Sequence, residues 1–293
     1  MAVDVKKRVG AGFDSMWWAV ADSAGYMQGA GSSTAAPAAG NQDGVAMAQL
    51  AGAKSFPFAP VQPDRPTATG DDGAIARFLF SPMDLPEATF TLAVGDMDFA
   101  AAAIATVAHN LGGGYFIPIQ PPTPTFADLI LLAVSQAKSQ ESGSSGAGLF
   151  ECRLIMKANA YPRERASFEE RATAVYEYDI IGNFADVYPW GLALSAGSNG
   201  CEQAVAMDFT WPYRPILQRW TGNNIEVTFN LAKNIAEDSA DNIIVYVDGI
   251  AQTWKTGVPG AGEFGITEGA TDTLVLGTAP GTNAKVVALY GWS

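Results

Sequence analysis

Between Leu149 and Ala158 the chain reads LFECRLIMKA, and its character alternates residue by residue. Successive side chains of a strand point to opposite faces. Glu151, Arg153, Ile155 and Lys157 therefore share one face, and Cys152, Leu154, Met156 and Ala158 share the other. The pattern returns in RATAVYEYDI. There Arg171, Thr173, Val175, Glu177 and Asp179 fall on one face, and Ala172, Ala174, Tyr176, Tyr178 and Ile180 on the other. A period of two predicts half-buried strands, with core on one face and water on the other. The preceding FADLILLAVSQAKS fits a helix or a strand by periodicity, but the flexible QESGSSGAG and the alternating strand after it decide for a strand. Three long consecutive strands joined by loops make an antiparallel meander.

Around this meander the punctuation is that of a mainly β chain. Trp17, Trp18 and Val20 predict a short strand, and ADSAGY a turn in which Gly25 takes positive φ. Residues 31–73, rich in Ala, Gly, Ser and Pro, read as a long loop or arm. DLPEATFTLAV reads as a strand ended by Gly95. FAAAAIATVAHNLGGG is the one short helix expected, stopped by Gly112–Gly114. GYFIPIQPPTPT is extended, and its prolines confine it to an edge or a loop. Residues 182–221 read as loops between short strands. From Asn223 onward short strands recur with a turn every 8–12 residues, including the Asp-Gly hairpin signal of VDGIA. The expected division is a first domain over 1–221 and a small Ig-like β-sandwich over 222–293.

With 293 residues, 48% of them hydrophobic, the chain has ample material for a core. Only 16% are charged, a composition that fits surface hidden against copies of itself. A net charge of −13 disfavours non-specific adhesion to nucleic acid or anionic membrane. No run of 18 apolar residues and no secretory leader pattern is found, so the expected site of folding is a cytoplasm.

The residues give catalysis little footing. His109 is the single histidine, expected at the C-terminus of the alanine helix, where the helix dipole favours it. Two cysteines make no disulfide framework; Cys152 reads as a core thiol and Cys201 as the more exposed. AGAKS resembles the tail of a phosphate-binding loop but lacks its first glycine. Asp96 and Asp98 in GDMDF lack the further oxygen ligands of a calcium loop. Glu169 and Glu170 are adjacent and point to opposite faces. Glu177 and Asp179 would stand roughly 7 Å apart on one face, a separation some glycosidases use. A face that also carries Arg171 reads more simply as a solvated one. The expectation is no enzyme, no cofactor and no metal.

Three stretches carry a resemblance. FDSMWWAVADSAGYMQG, with its apolar W-A-V patch and D-x-x-G-Y turn, resembles the opening of tail tube (major tail) proteins of tailed phages. LFECRLIMKANAYPRERASFEERATAVYEYDI resembles the central strand pair of the same family. DNIIVYVDGIAQTW, TLVLGTAP and AKVVALYGW are similar to small β-sandwich modules appended to phage virion proteins. The resemblance spans residues 8–30, 84–182 and 222–293.

It implies a tail-tube-like, barrel-forming antiparallel sheet, hexameric rings stacked into a hollow tube, and DNA passing through without specific binding. The partners implied are further copies of the chain and other tail proteins, such as terminator, sheath or tape-measure proteins, with no membrane. The localisation implied is the virion tail, assembled in the host cytoplasm. Under it, Glu151, Arg153, Lys157, Arg171, Thr173, Glu177 and Asp179 would face the lumen. The alternatives are a head or decoration protein, and a carbohydrate-binding module built on Trp254 and Trp292.

Overall fold

The structure, a computed structural model, describes residues 8–29, 36–50, 67–69, 75–78, 88–94, 99, 103, 108–110, 116–118, 126–139, 149–164, 176–183, 185–194 and 204–292. Its first strands are β1 (Arg8–Ala21), β2 (Met27–Gly29), β3 (Val45–Ala46), β4 (Ala48–Gln49), β5 (Thr67–Thr69), β6 (Ile75–Phe78) and β7 (Ala88–Val94). There follow β8 (Ala108–Asn110), β9 (Phe116–Pro118), β10 (Leu129–Ser139), β11 (Leu149–Glu164), β12 (Tyr176–Gly182), β13 (Ala206–Trp211) and β14 (Arg214–Thr221). The last are β15 (Thr228–Asn230), β16 (Ile243–Val247), β17 (Ile250–Ala251), β18 (Thr253–Trp254), β19 (Glu263–Thr267), β20 (Thr273–Leu276) and β21 (Lys285–Trp292). The chain is mainly β and its sheets are largely antiparallel, as the alternation demands.

The first sheet has eight strands, in the order β2-β1-β10-β11-β12-β7, with β13 added to β11 and β4 to β1. The meander β10-β11-β12 stands as expected. β1 is a strand of 14 residues, far longer than the patch at Trp17 suggested, and it pairs with β10 along its length. The turn after it forms as read: Gly25 has φ 81°, and Asp22 Oδ1 accepts the backbone N–H groups of Ala24 and Tyr26.

The second sheet, β17-β16-β21-β14-β3, lies between the first and a third. Its strand β14 is buried at seven consecutive positions, Pro215 to Thr221, as happens only when both faces are covered. Neighbouring side chains confirm the layering. The Arg219 guanidinium reaches back to the Met27 carbonyl at 2.7 Å, on the first sheet. Gln218 beside it bonds Asn230 and Ala232, on the side of the third sheet, β15-β20-β19-β18. Trp220 packs on Phe229 of that sheet, ring centroids 5.8 Å apart. The VDGIA hairpin forms as expected, with Asp248 at φ 50° and Gly249 at φ 77°, the positive φ pair of a two-residue hairpin.

A division at residue 221 therefore cuts through one structure. β14 precedes it, yet β14 is hydrogen-bonded along its whole length to β21. One buried cluster holds Trp17, Ile130 and Leu154 together with Val286, Leu289 and Phe264. The short strands after Asn223 do form, but their apolar faces are closed by the long strands before it.

Three further expectations change. Residues 36–50, inside the stretch read as a loop or arm, bridge the sheets: β3 pairs with β14 and β4 with β1. Met47 and Leu50 are buried in separate clusters. β5, also in that stretch, pairs with β6. Of the expected helix, Phe99 and Ala103 are described and helical, and both are fully buried. Four residues apart, they share a helix face, which lies on the first sheet: Phe99 stands edge-on to Trp18 and to Tyr178, each at 5.3 Å. His109 lies not at a helix end but in β8, paired with Ile117 of β9. Gly112–Gly114, expected to stop the helix, lie outside the described residues.

The first sheet carries core on both faces, not on one. Cys152, Leu154 and Met156 of β11 face the second sheet. Ile155, Ala158 and Ala160 face the helical side with Trp18, Phe99 and Tyr178. The switch is a bulge. Leu131 pairs with Ile155 but Leu129 with Ala158, so β11 carries one extra residue at Met156–Lys157. A bulge inverts the parity of everything beyond it.

Candidate functional site

The bulge decides where the charged residues go. Before it, Glu151 and Arg153 share the face of Ile155. Beyond it, Asn159 and Tyr161 occupy the opposite face, and Tyr161 pairs with Asp179 of β12. Tyr178 and Ile180, on either side of Asp179, point into the helical-side core. Glu151 and Arg153 therefore stand on one face of the first sheet and Asp179 on the other. Glu177 lies in the same strand, its backbone paired with Ala93 of β7. Lys157 sits at the bulge and reaches Asp128 at 3.3 Å. Arg171 and Thr173 lie outside the described residues, as do Asp96, Asp98, Glu169, Glu170, Cys201 and the AGAKS stretch. One wall carrying all the expected lumen residues does not form, because the reading assumed unbroken alternation.

A smaller polar wall does form. β1, β10, β11 and β13 lie side by side, each antiparallel to the next. On their helical-side face, Ser135, Glu151 and Thr210 make one cross-strand row, and Ala133, Arg153 and Asp208 the next. Arg153 and Asp208 form a bidentate ion pair through Nε and Nη2. Asp208 and Thr210 are exposed, while Ser135, Glu151 and Arg153 are half-buried. The other face of the same strands is apolar: Val134, Cys152 and Leu154 are buried, and Met207, Phe209 and Trp211 pack on the same core. Burial there drives the Cys152 thiol far above its ordinary pKa, so it stays protonated and inert.

Both lateral edges of this four-strand wall are open among the described residues. β13 pairs only with β11. β1 has partners on its outer side only from Met16 onward, through Leu50, β4 and β2. Its first half, Arg8–Ser15, presents an outer edge with no strand partner among the described residues. β13 was missed because AMDFTW sits in a turn-rich region, although its alternation of Asp208 and Thr210 with Met207, Phe209 and Trp211 was there to find.

At the start of this open edge two sheets are tied by a closed circuit. The Arg214 guanidinium donates from Nε and Nη2 to the Asp14 carboxylate, both at 3.0 Å. Ser15 Oγ donates to Asp14 at 3.1 Å, and Trp17 Nε1 donates to Ser15 Oγ at 3.2 Å. Arg214 also lies 5.8 Å from the ring centres of Phe150 and of Trp292, within cation–π range. Trp292 meets Trp17 edge-on at 6.0 Å. The hydrogen bond from Arg214 holds the Asp14 carboxyl below its usual range, against the effect of burial.

At the other end of β1 a second cluster joins the same sheets. Arg219, its side chain 4% exposed, lies 3.5 Å from Asp22, and Lys285 lies 3.6 Å from the same carboxylate. The Lys285 ammonium sits 3.6 Å from the centre of the Tyr26 ring. Of the proposed sugar platforms, Trp254 stands edge-on to Phe264 at 5.4 Å, and Trp292 has Lys233 5.2 Å from its ring as well as Arg214. Among the described residues no cluster of His, Cys, Asp or Glu could hold a metal ion, and no helix is long and apolar enough to cross a membrane. No protein-family model, no curated protein and no solved structure matches the chain.

Proposed function

We propose that the protein is a structural subunit that assembles with copies of itself, by head-to-tail strand pairing, into rings that stack as the tube of a phage tail. The observation that carries this reading is the four-strand wall of β1, β10, β11 and β13. An even number of antiparallel strands ends in two edges of opposite direction. The β13 edge of one subunit can therefore meet the Arg8–Ser15 edge of the next and continue the antiparallel ladder. A heterologous contact of this kind closes into a ring when the rotation permits, and closure removes the exposed edges.

The two faces of the wall suit that role. Its apolar face is already buried within the subunit, so the polar face is the one left for a lumen. Glu151 and the Arg153–Asp208 pair would line it, and in a chain of net charge −13 a charge-compensated or acidic surface holds no phosphate. Asp179 falls outside this lumen because it stands on the other face. The C-terminal strands serve as the outer layers of the subunit rather than as a detachable decoration.

Proline tests the edge directly, since it removes one N–H donor. Within Asp208–Thr210, N–H groups point alternately towards β11 and outward. Proline at an outward position is expected to abolish sedimenting polymer while leaving thermal unfolding of the subunit within a few degrees of wild type. Polymer formed at undiminished yield by every folded proline variant would exclude β13 as the joining edge.

A further inference from the structure

β1 carries two bulges, one between Gly10 and Phe13 and one at Asp14, which is the extra residue of the second. Phe13 pairs with Ser135 and Ser15 with Val134, so two steps along β1 match one step along β10. A bulge bends its strand and re-aims the residues beyond it. The residues beyond this one, Arg8–Phe13, are most of the open edge. The bulged residue is also the one gripped from the second sheet, by a guanidinium 200 positions away in sequence, through two 3.0 Å bonds. The grip is directional. A guanidinium matches a carboxylate with two parallel bonds, which an ammonium cannot do. Phe150 and Trp292 lie beside the fork, and the chain of donors Trp17–Ser15–Asp14 fixes the carboxylate from its own strand.

We infer that the Asp14–Arg214 pair is a positioning clamp for assembly: it fixes the bulge at Asp14 and so, together with the bulge between Gly10 and Phe13, sets the direction in which the first half of β1 is presented to β13 of the neighbouring subunit. The inference rests on the head-to-tail strand pairing proposed above. Neither residue need touch the neighbour. The clamp acts on the edge through the backbone of β1, while β14 is held to β21 by its own backbone ladder.

The experiment compares the full-length wild-type chain with Arg214→Lys, which keeps the charge and loses the fork, Asp14→Asn, and the exchange Asp14→Arg with Arg214→Asp. The readouts are the critical concentration for sedimentable polymer, amide hydrogen exchange by segment, and thermal unfolding. Arg214→Lys and Asp14→Asn are expected to raise the critical concentration about tenfold, equivalent to ~1.4 kcal/mol at the joint. Exchange should accelerate at residues 9–13 while β14 and β21 stay protected, and the exchanged pair should recover part of the loss. Wild-type polymer with single variants assembling at the same concentration would overturn the clamp and leave the strand-pairing reading standing. Loss of polymer only together with loss of β14 and β21 protection would also overturn it, since the pair would then be merely structural. A wild-type chain that never assembles would remove the strand-pairing reading, and the clamp with it.

Discussion

Single side chains in this molecule are most consequential where they tie one sheet to another. Arg219 is the clearest case. It is the most deeply buried cation described, its guanidinium holds the Met27 carbonyl, and Asp22 lies alongside. Removing one partner of a buried pair leaves the other uncompensated, at a cost of about 3 kcal/mol. Arg219→Ala is therefore expected to lower the unfolding free energy by roughly that amount in urea titrations, and Lys285→Ala by less, because the Lys285 side chain is 26% exposed. An Arg219→Ala subunit as stable as wild type would mean that the turn at Asp22–Tyr26 is held by other contacts. Such ties were not legible in the sequence. Arg219 stands in PILQRWTG like any strand cation, and only the folded chain brings Asp22 to it. Cys152 was legible, because a lone thiol on the apolar side of an alternating strand has one natural place.

At the scale of the element, β11 explains most of what the sequence concealed. Its even-numbered residues are apolar from Phe150 to Ala160, and a strand that kept its parity would offer them all to one core. The bulge at Met156–Lys157 instead delivers Cys152, Leu154 and Met156 to one core and Ala158 and Ala160 to another. The trace of this in the sequence is the run Leu154-Ile155-Met156, three apolar residues where alternation calls for a polar one. All three are buried.

The bulge also splits the charged face from which a single lumen wall was expected. Deleting Lys157 is a sharp test, because it removes the extra residue and leaves Ala158 two positions from Ile155, still opposite Leu129 and, with Ala160, on the face it already holds. The deletion is therefore expected to fold, with soluble expression and a cooperative unfolding transition. Lys157→Ala, which keeps the bulge, should cost less than about 1 kcal/mol. Insoluble expression of the deletion variant, or loss of its cooperative transition, would show that the bend at the bulge is itself required.

For the whole molecule, the mainly β class and the meander followed from period and punctuation. The layering did not. Local signals placed a boundary at 221 because the turn spacing changes there, but long-range pairing of β14 with β21 joins what the spacing divides. The same long-range pairing makes β13 turn its polar alternate residues outward beside Glu151 and Arg153. That leaves a four-strand wall whose two edges run in opposite directions and have no further strand partner among the described residues, and the central claim is that these edges join between copies. Electron cryomicroscopy of the purified wild-type chain, concentrated above its assembly threshold, tests this most directly. The expected result is stacked closed rings whose inner wall is a continuous antiparallel sheet, with β13 of each subunit against the first half of β1 of the next and Glu151 and Arg153 facing the channel. Monomers at every concentration, or rings with Glu151 and Arg153 on the outside, would contradict it.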